Sequence, residues 1–184
     1  MFRVAVRSGS EAGQEAKKAM DSGELVPDDV VIGVVRERLL QDDADNRGFI
    51  LEGFPRNVAQ AHALDDLLDP HRVDLVISLD VPTGMVLKRL TRRRVCEECG
   101  TNYSTDRPPH SDWTCDFCDG KVIQRDDDTE VAITRRLALY EEQTAPLISW
   151  YLATDRLAAV DGIGSPDAVT GRLLRAIDNR LARR

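Results

Sequence analysis

The sequence lacks any long apolar run. It also lacks the net positive charge that is typical of proteins that coat polyanions. An apolar stretch of about 18 residues, the least that spans a bilayer, is absent. The net charge is −7, which disfavours nucleic acid or an anionic membrane as a partner, because both attract an excess of positive charge. The segment that begins with Met1 and Phe2 has neither the apolar core nor the cleavage site of a signal peptide. We therefore expect a cytoplasmic protein.

The composition is that of an ordinary soluble globular protein, with 42% hydrophobic and 31% charged residues. A length of 184 residues suits one domain with a small insertion. Positive charge is nevertheless concentrated locally, at Lys88, Arg89, Arg92, Arg93 and Arg94. A small basic cluster in an acidic protein indicates a small anionic ligand rather than a polyanion.

Three short apolar runs predict the strands of a sheet. Phe49–Leu51 predicts a buried strand, and Leu157–Val160 predicts another short one. Val73–Leu79 is β-branched and almost continuously apolar, which is typical of a strand covered on both faces of a parallel sheet.

Apolar residues at helical spacing predict helices between these strands. The clearest helix runs from Asp28 to Leu40, and others start at Thr83 and continue through Arg93, or start at Ser165. This alternation predicts an α/β fold with a parallel sheet flanked by helices. The inward-facing residues expected on the remaining helices are Val58, Ala61, Leu64 and Leu68, then Val131, Leu137, Tyr140 and Leu147, and finally Val169, Leu173, Ile177 and Leu181.

The four cysteines form two matched pairs within residues 95–125. Cys96 and Cys99 are followed, after fifteen residues, by Cys115 and Cys118. Such paired turns present four thiolates to a tetrahedral Zn²⁺, and four protein ligands leave no open position for water or substrate. We therefore expect a structural zinc ion that holds together a small inserted ribbon. Two disulfides or free thiols are the alternative, which the expected compartment disfavours.

Several arginines are spaced as a phosphate site would require. Arg89 and Arg93 are i and i+4 and would share a helix face. Arg125 and Arg136 are eleven apart, about three helical turns, so they could also face one way. Arg56 follows a predicted strand end, where ligands of open α/β sheets bind. Guanidinium groups bind phosphate oxygens bidentately. The alternative is a solvated surface of unrelated arginines.

These motifs together resemble one family. Gly53-Phe-Pro-Arg56 with Gln60, Arg92–Gly100, and Gln124–Asp127 followed by Arg136 resemble adenylate kinases of the bacterial type with a four-cysteine zinc lid. Met1–Arg3, Gly23–Asp29 and Thr144–Ile148 fit the same family, so that the resemblance covers essentially the whole chain. It implies a fold like that of the P-loop nucleoside monophosphate kinases, a monomer, and transfer of a phosphoryl group from ATP to AMP with Mg²⁺, giving two ADP.

The resemblance also implies roles for individual residues. The AMP site would contain Arg3, Glu24, Leu25, Val26, Gly53, Arg56, Gln60, Arg125 and Arg136. The ATP site would contain Arg89, Arg93, Asn102, Tyr103 and Gly164, with Asn102 and Tyr103 over the base or ribose. The catalytic arginines would be Arg56, Arg89, Arg93, Arg125 and Arg136. Asp80, Asp126 and Asp127 would organise Mg²⁺ or lid contacts, and the scattered His62, His71 and His110 would be structural or exposed.

The same resemblance divides the chain into four segments. Residues 1–27 would be a partial AMP-binding segment, 28–92 and 127–184 the core, and 93–126 the zinc-binding lid. Arginines at both ends of the lid would clamp the phosphates as it closes, and closure would exclude water.

One family motif is missing. The sequence contains no Gly-x4-Gly-Lys-Ser/Thr phosphate loop, and Gly9–Gly13 is not followed by Lys-Thr. A strand–loop–helix unit of about 30 residues would thus be lacking, which predicts an N-terminally truncated fold with a gap between the strands at Phe49 and Val73. We expect negligible phosphotransfer by the chain as written, with residual AMP binding.

Three interpretations of this departure remain open. We favour a start codon misassigned to an internal methionine, because the downstream site residues are intact. The second is a truncated relative that binds nucleotide without catalysis. The third, a zinc-ribbon module that binds nucleic acid, is disfavoured by the acidic charge and the lack of interleaved aromatic and basic residues.

Overall fold

The computed structural model describes residues 9–21, 26–125 and 128–183, and the chain divides into two compact units, Met1–Asp74 and Leu75–Arg184. None of the helices in these described ranges has the length and apolarity needed to cross a membrane. The described part of the first unit contains the helices α1 (Glu11–Asp21), α2 (Asp28–Leu39), α3 (Asp42–Arg47) and α4 (Val58–Leu68).

The first unit is built around a small apolar core between α2 and α4. Val35, Phe54 and Leu64 are buried there, and Leu64 lies on the inward face that the helical spacing predicts. The predicted helix over 28–40 is therefore confirmed to within one residue. The cap of α4 is Asn57, whose side chain accepts a hydrogen bond from the Gln60 amide.

The predicted strand at Phe49–Leu51 is wrong. The segment is irregular, and the side chain of Ile50 is 95% exposed and that of Phe49 is 39% exposed. Leu51 alone of the three packs against the core. A strand needs a neighbour that pairs its backbone groups, and residues 9–21 and 26–74 form no strand that could do so.

The second unit contains two sheets and the remaining helices. β1 and β5 pair in parallel, with Val76 opposite Leu157 and Asp80 opposite Asp161. Three short strands form an antiparallel ribbon in the order β3-β2-β4. The elements are β1 (Val76–Asp80), α5 (Thr83–Arg92), β2 (Arg93–Cys96), β3 (Asn102–Ser104), β4 (Val122–Ile123), α6 (Glu130–Leu139), a π-helix (Tyr140–Thr144), α7 (Ala145–Ala153), β5 (Leu157–Asp161) and α8 (Pro166–Leu181).

The parallel pairing of β1 with β5 confirms the α/β class, but burial of β1 differs from the expectation. Leu79 is 51% exposed, so the strand is not covered on both faces along its length. The described residues supply two strands to this sheet, so each of the two is also an edge strand.

Two helix predictions also need correction. Val131 and Tyr140 are exposed, whereas Ile133 is fully buried and Leu147 is buried as expected. Ile133 and Leu137 are i and i+4 and share a face, which leaves Val131 on the opposite side; the π-helix then shifts the register before α7. In α8 the cap at Ser165 is confirmed, but Ile177 and Leu181 are exposed.

Candidate nucleotide site and metal centre

The loop that precedes α4 has a shape that only a few residue types allow. Gly53 has a φ of +74°, in the left-handed region that favours glycine. The Arg56 side chain folds back across it, and its Nε donates to the Gly53 carbonyl oxygen at 2.8 Å. A Cβ at position 53 would lie 3.2 Å from Nη2 of Arg56. Phe54 is buried in the core, so the loop is anchored beneath Arg56.

Gln60 ties this loop to the helices. Its side chain is 4% exposed. Its Oε1 accepts from the backbone N–H of Arg56 at 2.8 Å, and its Nε2 donates to Oδ1 of Asp28 at 2.5 Å. The sequence interpretation included Gln60 but missed Asp28 and Asn57. An Asn followed three residues later by Gln is a helix-start signal that could have identified Asn57.

Some predicted residues lie outside the part of the chain that the structure describes. Arg3, Glu24 and Leu25 of the predicted AMP site are among them, as are Asp126 and Asp127. Val26 is described and half-buried, just before α2.

In the second unit, basic side chains of α5 and β2 line one open cavity of about 570 Å³. This volume suits a small-molecule ligand. The cavity brings together Arg89, Arg93, Asn102 and Tyr103, four of the residues predicted for ATP, with Lys88 and Arg92 beside them.

Arg89 and Arg93 both line this cavity, but they lie on different elements and not on one helix as predicted. Helix α5 ends at Arg92, and Arg93 is the first residue of β2, where it pairs with Ser104. A shared helix face is therefore wrong, because strand pairing overrides the helical pattern at Arg93. Arg89 donates from Nη1 to the Gly162 carbonyl oxygen at 3.4 Å.

Arg93 makes a short ion pair with Asp128. Its Nε lies 2.8 Å from Oδ2 and its Nη2 lies 2.5 Å from Oδ1 of Asp128. The Asp128 side chain is fully buried and that of Arg93 is 24% exposed. A carboxylate held this way fixes the direction of the guanidinium. The sequence analysis did not predict Asp128, which is 35 positions away from Arg93.

The other predicted residues are more dispersed. Arg125 precedes α6 in a segment without helical structure, whereas Arg136 is exposed on α6. The prediction that Arg125 and Arg136 face one way along three turns of a helix is therefore wrong. Gly164 has a φ of +127° in the loop between β5 and α8. Arg172 fixes this loop by donating from Nη1 to the carbonyl oxygens of Asp161 and Ile163 at 2.8 and 2.6 Å.

The four cysteine sulfur atoms meet in the ribbon. All lie within 4.8 Å of one another, and the Sγ–Sγ distance is 3.5 Å for both Cys96–Cys118 and Cys99–Cys115. No disulfide joins them. A tetrahedron of sulfur atoms with Zn–S bonds of about 2.3 Å has edges of about 3.8 Å. The cluster therefore fits a tetrahedral zinc ion, with each turn of the ribbon supplying two ligands.

Neighbouring side chains favour the thiolate form of Cys115 and Cys99. The pKa of Cys118 is instead raised to about 12: the backbone hydrogen bond with Gly120 lowers it, but contacts with the sulfur atoms of Cys99 and Cys96 raise it further. The Tyr103 hydroxyl donates to Cys115 Sγ at 3.4 Å and accepts from the Asp116 amide at 2.9 Å. This bond lowers the pKa of Cys115 to about 6, while burial and the same bond raise the pKa of Tyr103 to about 12. The Thr101 hydroxyl likewise lowers the pKa of Cys99. The hydroxyl that was predicted to lie over the nucleotide thus contacts the cysteine cluster.

Gly120 makes room for the cluster. A Cβ there would lie 2.9 Å from Cys96 Sγ and 2.7 Å from Cγ of Glu98. Both distances are too short for a side chain, so glycine is required for the second turn to close on the first.

The sequence is similar to known proteins of one family. The sequence model of the family described as adenylate kinase matches residues 1–156. An adenylate kinase of Syntrophobacter fumaroxidans is 48% identical over 176 residues, covering 94% of this chain and 82% of that protein. One from Citrifermentans bemidjiense is 49% identical, covering 96% and 84%, and one from Thermodesulfovibrio yellowstonii is 46% identical, covering 98% and 85%. The chain belongs to the adenylate kinase family.

Proposed function

We propose that this protein transfers a phosphoryl group between ATP and AMP, giving two ADP, with Mg²⁺ bound to ATP. In this reaction the bond from the γ-phosphorus to the β–γ bridging oxygen breaks, and a bond from an AMP phosphate oxygen to the same phosphorus forms. Negative charge spreads over the transferring oxygens, so catalysis needs positioning and cations rather than a protein nucleophile.

The observation that carries the proposal is the cavity lined by Lys88, Arg89, Arg92 and Arg93. Arg92 and Arg93 pair with Asp106 and Asp128, and Lys88 and Arg89 add further positive charge. This local excess of positive charge, in a chain with a net charge of −7, suits a polyphosphate. In the proposal, Arg89, Arg93, Asn102, Tyr103 and Gly164 bind ATP.

The same proposal assigns the remaining sites. The AMP site consists of Arg3, Glu24, Leu25, Val26, Gly53, Arg56 and Gln60, while Arg125 and Arg136 contact the transferring phosphoryl group. Four cysteines hold a structural Zn²⁺ in a lid of residues 93–126, and this ion stabilises the ribbon without contacting substrate. A monomer in the cytoplasm remains our prediction.

The absence of the phosphate loop from this sequence bears on the rate of phosphoryl transfer by the 184-residue chain. The sequence has no Gly-x4-Gly-Lys-Ser/Thr motif, and the backbone amides and lysine of such a loop hold the ATP phosphates. We therefore propose that the 184-residue chain binds nucleotide but transfers phosphate at least about a thousandfold more slowly than a chain with the loop.

A coupled assay of ADP formation tests this. The 184-residue chain is compared with a chimera that carries the strand–loop–helix segment of an adenylate kinase ahead of Met1, and with the chimera in which Arg89 is replaced by alanine. We expect activity in the chimera alone. Robust activity of the 184-residue chain would refute the requirement for the loop, and an inactive, folded chimera would refute the proposed reaction. An in-frame Gly-rich loop in the DNA upstream of Met1 would identify the natural form.

A further inference from the structure

Asp28 binds two side-chain amides at the start of α4. Its Oδ1 accepts from Nε2 of Gln60 at 2.5 Å, and its Oδ2 accepts from Nδ2 of Asn57 at 2.8 Å. Asp28 is the first residue of α2, so one carboxylate connects the two helices. Hydrogen bonds to an ionised carboxylate are short and strong.

This arrangement allows the Gln60 amide one orientation. A carboxylate only accepts hydrogen bonds, so the NH₂ group of Gln60 must face Asp28. The backbone N–H of Arg56 only donates, and Oε1 of Gln60 accepts from it at 2.8 Å. Rotation of the amide by 180° would set two acceptors against each other at Asp28 and two donors against each other at Arg56, in a side chain that is 4% exposed.

The fixed amide of Gln60 presents one donor and one acceptor to a ligand, in positions that cannot be exchanged. Among the described residues, the bonds to Asp28 and Arg56 use one N–H of Nε2 and one lone pair of Oε1. The second N–H and the second lone pair remain, with the donor and acceptor in an order that cannot be exchanged.

We propose that Asp28 is a positioning residue that sets the base preference of the acceptor nucleotide, by fixing the amide of Gln60. The proposal rests on the proposed function, in which Gln60 belongs to the AMP site. A 6-aminopurine presents an amino donor beside the N1 acceptor, whereas a 6-oxopurine presents an O6 acceptor beside the N1–H donor. A freely rotating amide matches both orders, and an amide held by Asp28 together with the Arg56 backbone N–H matches one, so the other base leaves buried polar groups unpaired.

The chain offers a matched control for Asp28. Asp29 is the next residue of the same helical turn, and its Oδ1 accepts from the backbone N–H of Val30 at 2.9 Å. Asp28→Asn and Asp29→Asn remove the same charge from the same helix terminus. Asn at position 28 can also donate an N–H, so a rotated Gln60 meets one mismatch, at the backbone N–H of Arg56, instead of two.

Calorimetric titration with AMP and with IMP, which differs from AMP only in the 6-aminopurine-to-6-oxopurine change, tests base preference. We expect the ratio of dissociation constants to favour AMP in the parent protein and in Asp29→Asn, and to fall by about tenfold or more in Asp28→Asn. An unchanged ratio in an Asp28→Asn protein that still binds AMP would overturn the proposal. Absence of AMP binding in the parent would instead overturn the proposed acceptor site.

A second measurement examines the fixed amide without any nucleotide. The NMR signals of the two Nε2 protons of Gln60 should be well separated and slow to exchange with water in the parent and in Asp29→Asn. In Asp28→Asn we expect them to converge and exchange at least about tenfold faster, because the charged acceptor is gone. Fast exchange in the parent, or no difference between the two variants, would overturn the positioning role of Asp28.

Discussion

The guanidinium of Arg93 lies against the fully buried carboxylate of Asp128, with Nε 2.8 Å from Oδ2 and Nη2 2.5 Å from Oδ1. Arg93 is where the chain enters the cysteine ribbon and Asp128 follows the last ribbon strand, which ends at Ile123. Gln124 adds a bond from Nε2 to the Asp128 carbonyl oxygen at 2.9 Å. The two ends of the ribbon are therefore joined directly, by a charged pair whose carboxylate is fully buried and whose arginine side chain is 24% exposed.

Replacement of Asp128 by asparagine should cost far more stability than the same change at an exposed pair. The change removes one charge of an ion pair whose carboxylate is fully buried, which costs about 3 kcal/mol. Asp106→Asn is the matched control, because Nη1 of Arg92 donates to both carboxylate oxygens of Asp106 and the two side chains are 41% and 61% exposed. That change should cost less than about 1 kcal/mol. Urea unfolding at saturating Zn²⁺ measures both, and equal losses would contradict the importance of burial at Asp128.

The cysteine cluster should bind about one zinc ion per chain, and Cys115→Ser should lower the bound metal strongly. Serine is a poor ligand for zinc at neutral pH, and Cys115 is a buried member of the cluster. His110→Asn is the control in the same ribbon, since its side chain is 91% exposed and lies outside the cluster. Elemental analysis of proteins purified under reducing conditions gives the metal content. Zinc that is absent from the parent, or retained fully by Cys115→Ser, would refute the four-cysteine site.

Tyr103→Phe should speed the release of zinc by about tenfold, because the variant removes the hydroxyl that donates to Cys115 Sγ. The rate is read from transfer of zinc to a coloured chelator in excess. Tyr140→Phe removes an equivalent hydroxyl from the exposed π-helix, away from the ribbon. Its release rate should equal that of the parent, and identical rates for both variants would show that the Tyr103 hydrogen bond does not stabilise the cluster.

The same substitution at two adjacent residues of the irregular segment before Gly53 should change the free energy of unfolding by different amounts. Ile50→Ser should change the free energy of unfolding by less than about 0.5 kcal/mol, because the side chain is 95% exposed. Leu51→Ser should cost about 2 kcal/mol, since Leu51 packs against Val35, Phe54 and Leu64. Chemical denaturation of both variants provides the comparison. A large loss for Ile50→Ser would restore the prediction of a buried strand.

The features that sequence analysis predicted are those set by neighbours along the chain. Cys96 and Cys99 form one turn, so their spacing alone indicates a ligand pair, and the apolar stripe of α2 depends on helical spacing. Arg93 was misplaced because its pairing with Ser104 in β3 outweighs the helical pattern before it.

The contacts that sequence analysis missed join distant positions. Asp28 and Gln60 are 32 residues apart, and no local pattern couples a carboxylate on one helix to an amide on another. The strand expected at Phe49–Leu51 failed for a related reason, because an apolar run specifies a strand only where a partner strand is present. The family resemblance gave Gln60 a role, but the orientation of its amide follows only from the folded structure.

The meeting of Arg93 and Asp128 has a consequence for how this fold can vary. A segment whose entry and exit coincide is a side branch of the chain, and its length does not enter the distance that the flanking elements must span. Residues can be added to or deleted from the branch without displacing α5 or α6, as long as both ends still meet. We therefore expect that the ribbon can be replaced as a unit, together with its four cysteines, without displacement of the flanking helices.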